Sequence, residues 1–526
     1  AQLINSSGTE SFTFTHDKIR EVLYEELNPI RRRRLHRHAA EGLERRAVPS
    51  ENDRHGVTSA CAVERLAYHY IHAGDYEHGL TYAKQAAAAA EKVFAFDEAI
   101  AAYTRARDCA EALGLIEDQV VLEEAIGKTY LMHGESIAAG EHFERAMALT
   151  EDRHVRARLQ TEVAGSFVTI GDQRGMNYLH EALKVLDPEK DPLETANAIA
   201  NEARFHHLAA GHRQAIELLN RAAELVAPFA AADSVSTFAA PIISQVYTYL
   251  AGAYQHYGLY DDSNAWAQRA IDFGERHNVS FAQAAGLEFL AENAIHTGHY
   301  AASVDNALRE RAIAERINSR ERRAWTTFAA GLSSFLLGDF ERAEREYTEG
   351  ITLAETIGER RVLLLLKADY AVLLAARGMR LGRDTDEGRR LLDAALDTAQ
   401  QALNASDAPG LFYMRFESLR CLIHVQIYRG EMNEAEATCR AATDLIGSTE
   451  SRVSKLWLGP TYIEVVLENA ARLEQQGKPE EASAKRAFAH ELLKEYEQLV
   501  LECQSPRFTK EAEDLAEKMH AISAGA

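Results

Sequence analysis

Apolar and small residues recur along most of the chain at three- and four-residue spacing, and run after run stops at a glycine. In residues 125–149, "AIGKTYLMHGESIAAGEHFERAMAL", Ile126, Gly127 and Tyr130 fall at helical spacing. Gly134 ends that run, where a positive φ costs a glycine little. A second helix is predicted beyond it, with Ala139, Phe143 and Ala146 on one face. Gly127 and Ala139 let the two helices approach, and Tyr130 and Phe143 fill the space beside them.

The same order returns through Leu250, Ala251, Tyr254, Gly258, Ala267 and Ala270. It returns again through Gly331, Gly338, Phe340, Ala343 and Tyr347, and through Gly430, Ala435, Cys439 and Ala442. A compressed unit reads through Ala99, Tyr103 and Ala106. Four of the glycines are followed two positions later by an aromatic, in Gly74-Asp75-Tyr76, Gly258-Leu259-Tyr260, Gly298-His299-Tyr300 and Gly338-Asp339-Phe340. Gly134, Gly171, Gly211, Gly378, Gly430 and Gly477 sit in matching contexts. From Gly258 to Gly378 the interval is 40 residues three times over, the signature of stacked repeats.

The pattern of small, aromatic and alanine positions resembles the tetratricopeptide repeat. That resemblance implies an all-α, right-handed superhelix of about ten to eleven antiparallel helix pairs over residues 60–526. A break is expected near 378–410, where the polar, glycine-rich stretch 378–390 reads as an inserted loop. Pro188, Pro192, Pro228, Pro241, Pro409, Pro460 and Pro506 are expected to mark loops, and a helix near 507–523 to cap the stack.

Residues 1–48 depart from this period. "SFTFTH" alternates like a strand, Ile19, Val22, Leu23 and Leu27 form one helical stripe, and Asn28-Pro29 opens a second helix. Phe12, Phe14, His16, Arg20, Leu23, Tyr24, Arg33, Leu35, His36, Ala40 and Leu43 carry a second resemblance. They look like the segment that ends the winged-helix subdomain of STAND-type signal-transduction ATPases and leads into a repeat arm. The resemblance implies a regulatory sensor arm, with ATP and Mg²⁺ chemistry only in a module upstream. No GxxxxGK[ST] phosphate loop occurs, so no cofactor is expected in the chain itself. The first residue is not Met, and the chain reads as a fragment or trimmed piece of something longer.

Charge narrows the partners. The net charge is −22, yet residues 29–46 hold seven arginines against two glutamates. An acidic body repels phosphate backbones, which argues against nucleic acid as a partner of the chain as a whole. Arg31, Arg32, Arg33, Arg34 and Arg37 are therefore read as a domain-docking face rather than a nucleic-acid grip. No run approaches the roughly 20 apolar residues of a membrane span. The start lacks the pattern of a secretory leader, and five scattered cysteines without a CxxC pair suit a reducing cytoplasm.

No catalytic constellation stands out, and no enzyme activity is expected. His206, His207 and His212, and His296 with His299, are the densest histidine groups, but none has metal-ligand spacing. Cys421 and Cys439 read as packing residues. The first helix of each pair should line the concave groove, to which the repeat frame assigns Thr248, Gln255, His256, Glu288, Glu292, His296, Phe328, Leu332 and Phe335. Such a mixture suits a protein, peptide or small effector. Two alternatives stay open. One is a free-standing scaffold, although Lys128 and Asn201 give no carboxylate clamp. The other is an enzyme or metalloprotein.

Overall fold

The computed structural model describes residues 4–6, 12–14, 17–47, 60–93, 95–169, 172–408, 411–447, 449–503 and 505–524. His16, Gly171 and Pro409, singled out above, lie outside them. The chain divides into two compact units, Ala1–Phe167 and Val168–Ala526.

In the first unit, β1 (Ile4–Ser6) and β2 (Phe12–Phe14) pair antiparallel, with Ile4 opposite Phe14. Then follow α1 (Asp17–Glu25), α2 (Pro29–Ala47), α3 (Ala60–Ala73), α4 (Tyr76–Glu91), α5 (Phe96–Ala112), α6 (Ile116–His133), α7 (Ser136–Ala148) and α8 (Arg153–Thr169), whose last residues cross the boundary. Asn28 caps α2, its Oδ1 accepting from the Ile30 N–H at 2.9 Å. Helix α5 stands between the pairs α3/α4 and α6/α7 and is the compressed unit of the sequence.

The second unit continues with α9 (Arg174–Leu183) and then seven pairs. These are α10 (Pro192–Leu208) with α11 (His212–Ala230), α12 (Ala239–His256) with α13 (Tyr260–His277), and α14 (Ser280–Thr297) with α15 (Tyr300–Arg316). Next come α16 (Arg320–Leu336) with α17 (Phe340–Ile357), and α18 (Arg360–Leu381) with α19 (Asp386–Ala405). Last are α20 (Phe412–Arg429) with α21 (Met432–Gly447), α22 (Arg452–Gln475) with α23 (Pro479–Cys503), and the closing helix α24 (Pro506–Ala524). The fold is all-α and tetratricopeptide-like, as the repeat spacing predicts.

The small-against-large pairing inside a repeat is literal. A Cβ on Gly127 would lie 2.7 Å from the Phe143 ring, and one on Gly331 2.6 Å from the ring of Tyr347. Both rings are fully buried. Buried alanines fill many of the remaining helix contacts.

Three expectations are corrected. Gly378 lies inside α18, where a Cβ would meet the Gly388 carbonyl at 2.9 Å; it serves close packing on α19, and Gly382, at φ +95°, ends the helix. The stretch 378–390 is accordingly two helix ends joined by a short turn, with Thr385 Oγ1 capping α19 at the Gly388 N–H, 3.0 Å away. At the end of α10, Ala210 takes the left-handed conformation at φ +60° and Gly211 is the N-cap of α11. Pro228 lies inside α11 and Pro460 inside α22. Burial of Leu456, Leu458, Tyr462 and Ile463 holds α22 together through its proline, against the roughly 3 kcal/mol an interior proline costs.

Candidate functional site

The predicted groove residues belong to α12, α14 and α16, consecutive first helices of the second unit. A helix in such a stack gives one face to its own partner and another to its neighbours, so a one-residue change of frame moves a side chain from surface to core. Thr248 has gone to the core. It is buried, and its hydroxyl donates to the Ser244 carbonyl at 2.9 Å. Leu332 is buried against Ala291, Ile295 and Ala329. Phe335 is half-buried and stacks on Phe340 of α17, with ring centroids 5.4 Å apart.

The other six come together in two groups. Gln255 is buried like Thr248; it donates to Asn293 at 3.0 Å and also hydrogen-bonds Glu292. Glu288 accepts from Arg322 at 3.1 Å, and Arg322 also reaches buried Glu310 at 3.2 Å. Glu292 has no cation to match. Burial, with Glu288 and then Glu417 nearby, pushes its carboxyl up to about 8. His256 meets His207 and His212 at ring-centroid distances of 5.0 and 5.4 Å and takes the edge of Tyr413 at 5.0 Å. Burial lowers His256 to about 4, so these rings meet as neutral imidazoles. His296 and Phe328 form the second group, around Trp457.

The facing wall comes from α18 and α20. Arg420 is buried and bridges two carboxylates, donating from Nε to Glu417 at 2.7 Å and from Nη2 to Asp369 at 3.0 Å. Tyr413 hydrogen-bonds Glu417. His424 is held near a pKa of about 3 by burial and then by Arg420 and Arg507. Tyr413, Glu417, Arg420, His424 and Trp457 were not among the residues the repeat frame assigned. A usable signal existed: Arg420 and His424 precede Gly430 by the same ten and six residues that separate Glu288 and Glu292 from Gly298.

Across this face, Glu288, Glu292, Glu310, Asp369 and Glu417 lie beside Arg322 and Arg420, and Arg361 is close enough to Glu288 to interact with it. Among the described residues no set of three His, Cys, Asp or Glu side chains is placed to hold a metal ion, and no helix is long and apolar enough to cross a membrane. His207 and His212 are joined Nδ1 to Nδ1 at 3.1 Å, while His299 is exposed and bonded to Thr297. An open cleft of about 560 Å³ lies elsewhere, over Asn264, Gln268, Leu290 and Asn306. It carries neither the ion-paired arginines nor the large rings of the inner face.

In the first unit, the arginine run divides by helix geometry. Arg32 turns back to donate to the carbonyls of Tyr24 and Glu25 at 2.8 and 3.2 Å, and its guanidinium covers the Tyr24 ring. Arg33 passes over Gly74, and Arg37 faces Asp75 at 3.8 Å. Arg31 and Arg34 are exposed. Helix α2 docks on α3 through Ala40 and through His36, which bonds His69 and the Tyr24 hydroxyl. Farther along, Glu44 accepts from both Tyr70 and Tyr82, and these two bonds hold its carboxyl below the usual range.

No protein-family model matches the chain, and no curated protein matches it in sequence. Solved structures do. The Rap protein complexed with competence and sporulation factor superposes with a TM-score of 0.50 at 13% identity, over 73% of this chain and 99% of its own. The apo form of the quorum sensor NprR from B. thuringiensis gives 0.49 at 15% identity, over 72% of this chain and 99% of its own. A STAND protein with a tetratricopeptide repeat sensor, from Pyrococcus horikoshii, gives 0.46 at 16% identity, over 77% of this chain. The chain spans 57% of that protein's length. At such identities the first of these likenesses bears on the fold, and it agrees with the tetratricopeptide-like architecture.

Proposed function

We propose that the inner face of the second unit binds a peptide or a segment of a partner protein, and that the chain is a non-catalytic regulatory arm. The observation that carries this reading is the face built by successive first helices. It sets half-buried Glu288, Glu292, His256 and Tyr413 beside half-buried Arg322 and buried Arg420, both ion-paired. Such a mixture can orient a ligand by hydrogen bonds and bury its side chains. Glu292, a carboxyl with no cation beside it, favours a segment that brings Lys or Arg to it. A neighbour of the same fold has been solved with a factor bound, which supports the choice of a binding over a catalytic role.

Selection of displayed random peptides on the whole chain tests this. Peptides enriched in Lys or Arg should emerge, and Glu292→Lys should weaken them at least about ten-fold while the fold persists. Peptides that bind the variant as well as the original would overturn the assignment.

The finer reading is an arm attached to a signal-transduction ATPase, docked through Arg31 and Arg34. It rests on the resemblance of residues 12–43. The reading frame preceding Ala1 tests it, since a Walker-type phosphate loop should lie upstream. A frame that opens immediately before Ala1 would leave the free-standing scaffold.

A further inference from the structure

Most helix contacts in the second unit join neighbours in the stack. Helices α22 and α24 break that rule by meeting α12 and α14. The Trp457 indole N–H of α22 donates to His296 Nδ1 at 2.9 Å. At the start of α24, Ser505 Oγ donates to the His296 carbonyl at 3.0 Å and Arg507 Nη1 to the Ile295 carbonyl at 3.2 Å. The Arg507 guanidinium lies 4.0 Å from the centre of the Trp457 ring. Farther along, the Glu450 N–H donates to the Ala210 carbonyl at 3.1 Å, and Arg452 donates to the Tyr257 hydroxyl at 3.3 Å. Gly258 has no room for a side chain here, because a Cβ would meet Cys503 Sγ at 2.6 Å.

Trp457 does more than touch the helix ends. It packs with Phe328 against the buried cluster of Ala291, Ile295, Ala329 and Leu332. The indole therefore occupies part of the inner face that the repeat frame assigns to a ligand. The other polar contacts across this seam fall largely on the Ala210 carbonyl, in the turn after α10, and on the last carbonyls of α14. The Ile295 carbonyl already accepts from the Gly298 N–H at 3.2 Å, and water serves these terminal carbonyls equally well once the contact opens. Departure of the indole thus strands few buried polar groups, whereas separating α22 from α23 would expose a large apolar core.

We propose that α22–α24 form a strap closing the second unit on itself, with Trp457 as an internal plug of the groove. Closed, the plug covers His296, Phe328 and Leu332. Open, it leaves an apolar site that a bulky side chain of a ligand can enter. A ligand at this end of the groove binds the open state and shifts the equilibrium toward it, while one confined to Glu288 and Glu292 does not need the strap to move. This regulation rests on the groove reading above, but its test requires no ligand.

The experiment keeps Trp457 as the sole tryptophan, in a Trp266→Phe/Trp325→Phe chain, and measures acrylamide quenching beside far-ultraviolet circular dichroism. Arg507→Ala removes the guanidinium from the indole and the Ile295 carbonyl without touching the plug. It should raise the quenching constant at least about two-fold at unchanged helicity. Lys518→Ala, on the same helix but paired with Glu464, should leave quenching as it was. As a second reading, Trp457→Ala in the otherwise natural chain should bind several-fold more anilinonaphthalene sulfonate, which reports the vacated apolar site. Unchanged quenching in Arg507→Ala would overturn the strap, as would a rise that only tracks lost helicity. Unchanged dye binding in Trp457→Ala would overturn the plug. Peptide selection can fail while quenching rises, and the reverse, so the two readings stand or fall separately.

Discussion

Replacing Arg420 by Met probes the strongest electrostatic commitment in the second unit. Arg420, Asp369 and Glu417 are each less than 10% exposed, at 6, 4 and 7%. The guanidinium joins α20 to α18, 51 residues earlier in the chain, and the Cys421 thiol adds a 3.3 Å contact to Asp369. Methionine keeps much of the stem's packing but removes the charge. Asp369 is then left with a thiol and Glu417 with the Tyr413 hydroxyl. Breaking a buried pair in this way costs about 3–5 kcal/mol, because the surviving charge has no solvent.

The penalty depends on pH with a fixed sign. Burial raises both carboxyls above their ordinary values even with Arg420 present. Without it they rise further. A carboxyl whose folded pKa exceeds its unfolded value contributes stability fully below the unfolded value, near 4, and loses it as pH climbs through the folded one. The deficit of Arg420→Met is therefore smaller at pH 5.5 than at pH 7.5, by roughly 1.4 kcal/mol for each unit of additional shift covered. Adding Asp369→Asn and Glu417→Gln should recover most of the loss, since the site then holds no charge. Urea unfolding followed at 222 nm at both pH values gives the deficit, and amide exchange in α18 and α20 locates it. A deficit under about 1 kcal/mol at pH 7.5, or one that grows toward pH 5.5, would refute the reasoning.

Gly331→Ala should lower stability by about 1–3 kcal/mol despite its better helix propensity, because the new methyl meets the fully buried Tyr347 ring at 2.6 Å. Tyr347→Phe should be neutral or slightly stabilising, its hydroxyl being buried with no partner among the described residues; thermal melts decide both. Gly338→Ala isolates backbone strain, since φ is +81° with nothing within 4 Å of the new Cβ, and should cost about 1 kcal/mol with no change in packing. Glu292→Gln should match the original chain near pH 5 and exceed it in stability increasingly toward pH 9. The original loses stability as pH rises through the Glu292 pKa of about 8, and the amide has no proton to lose.

Local rules reach most of this molecule and stop at a definite point. Gly74, Gly134, Gly258, Gly298, Gly338, Gly430 and Gly477 all take positive φ, as a helix-ending role demands. Gly378 misled because a glycine that admits a neighbouring helix and one that ends its own helix look alike in sequence. Distance from the hinge puts Glu288 and Glu292 in register with Arg420 and His424, which precede Gly430 by the same ten and six residues. Thr248, Gln255, His296 and Leu332 are all buried, because a turn of 100° per residue leaves no margin for a one-residue error. The meeting of Trp457 with His296 belongs to another class. It joins residues 161 apart, and it depends on how much each pair rotates against the next, summed over successive pairs between α14 and α22. No single repeat encodes that sum, so small packing choices such as Gly331 under Tyr347 act together to set whether the two ends meet. A substitution that tilts one pair should consequently loosen the strap at a distance. Gly331→Ala, four helices from α24 by first-helix count, should raise Trp457 quenching by acrylamide in the sole-tryptophan chain even where helicity is kept. Quenching that stays level while Gly331→Ala measurably destabilises α16 and α17 would show that closure is held locally at Arg507 and is not a property of the stack.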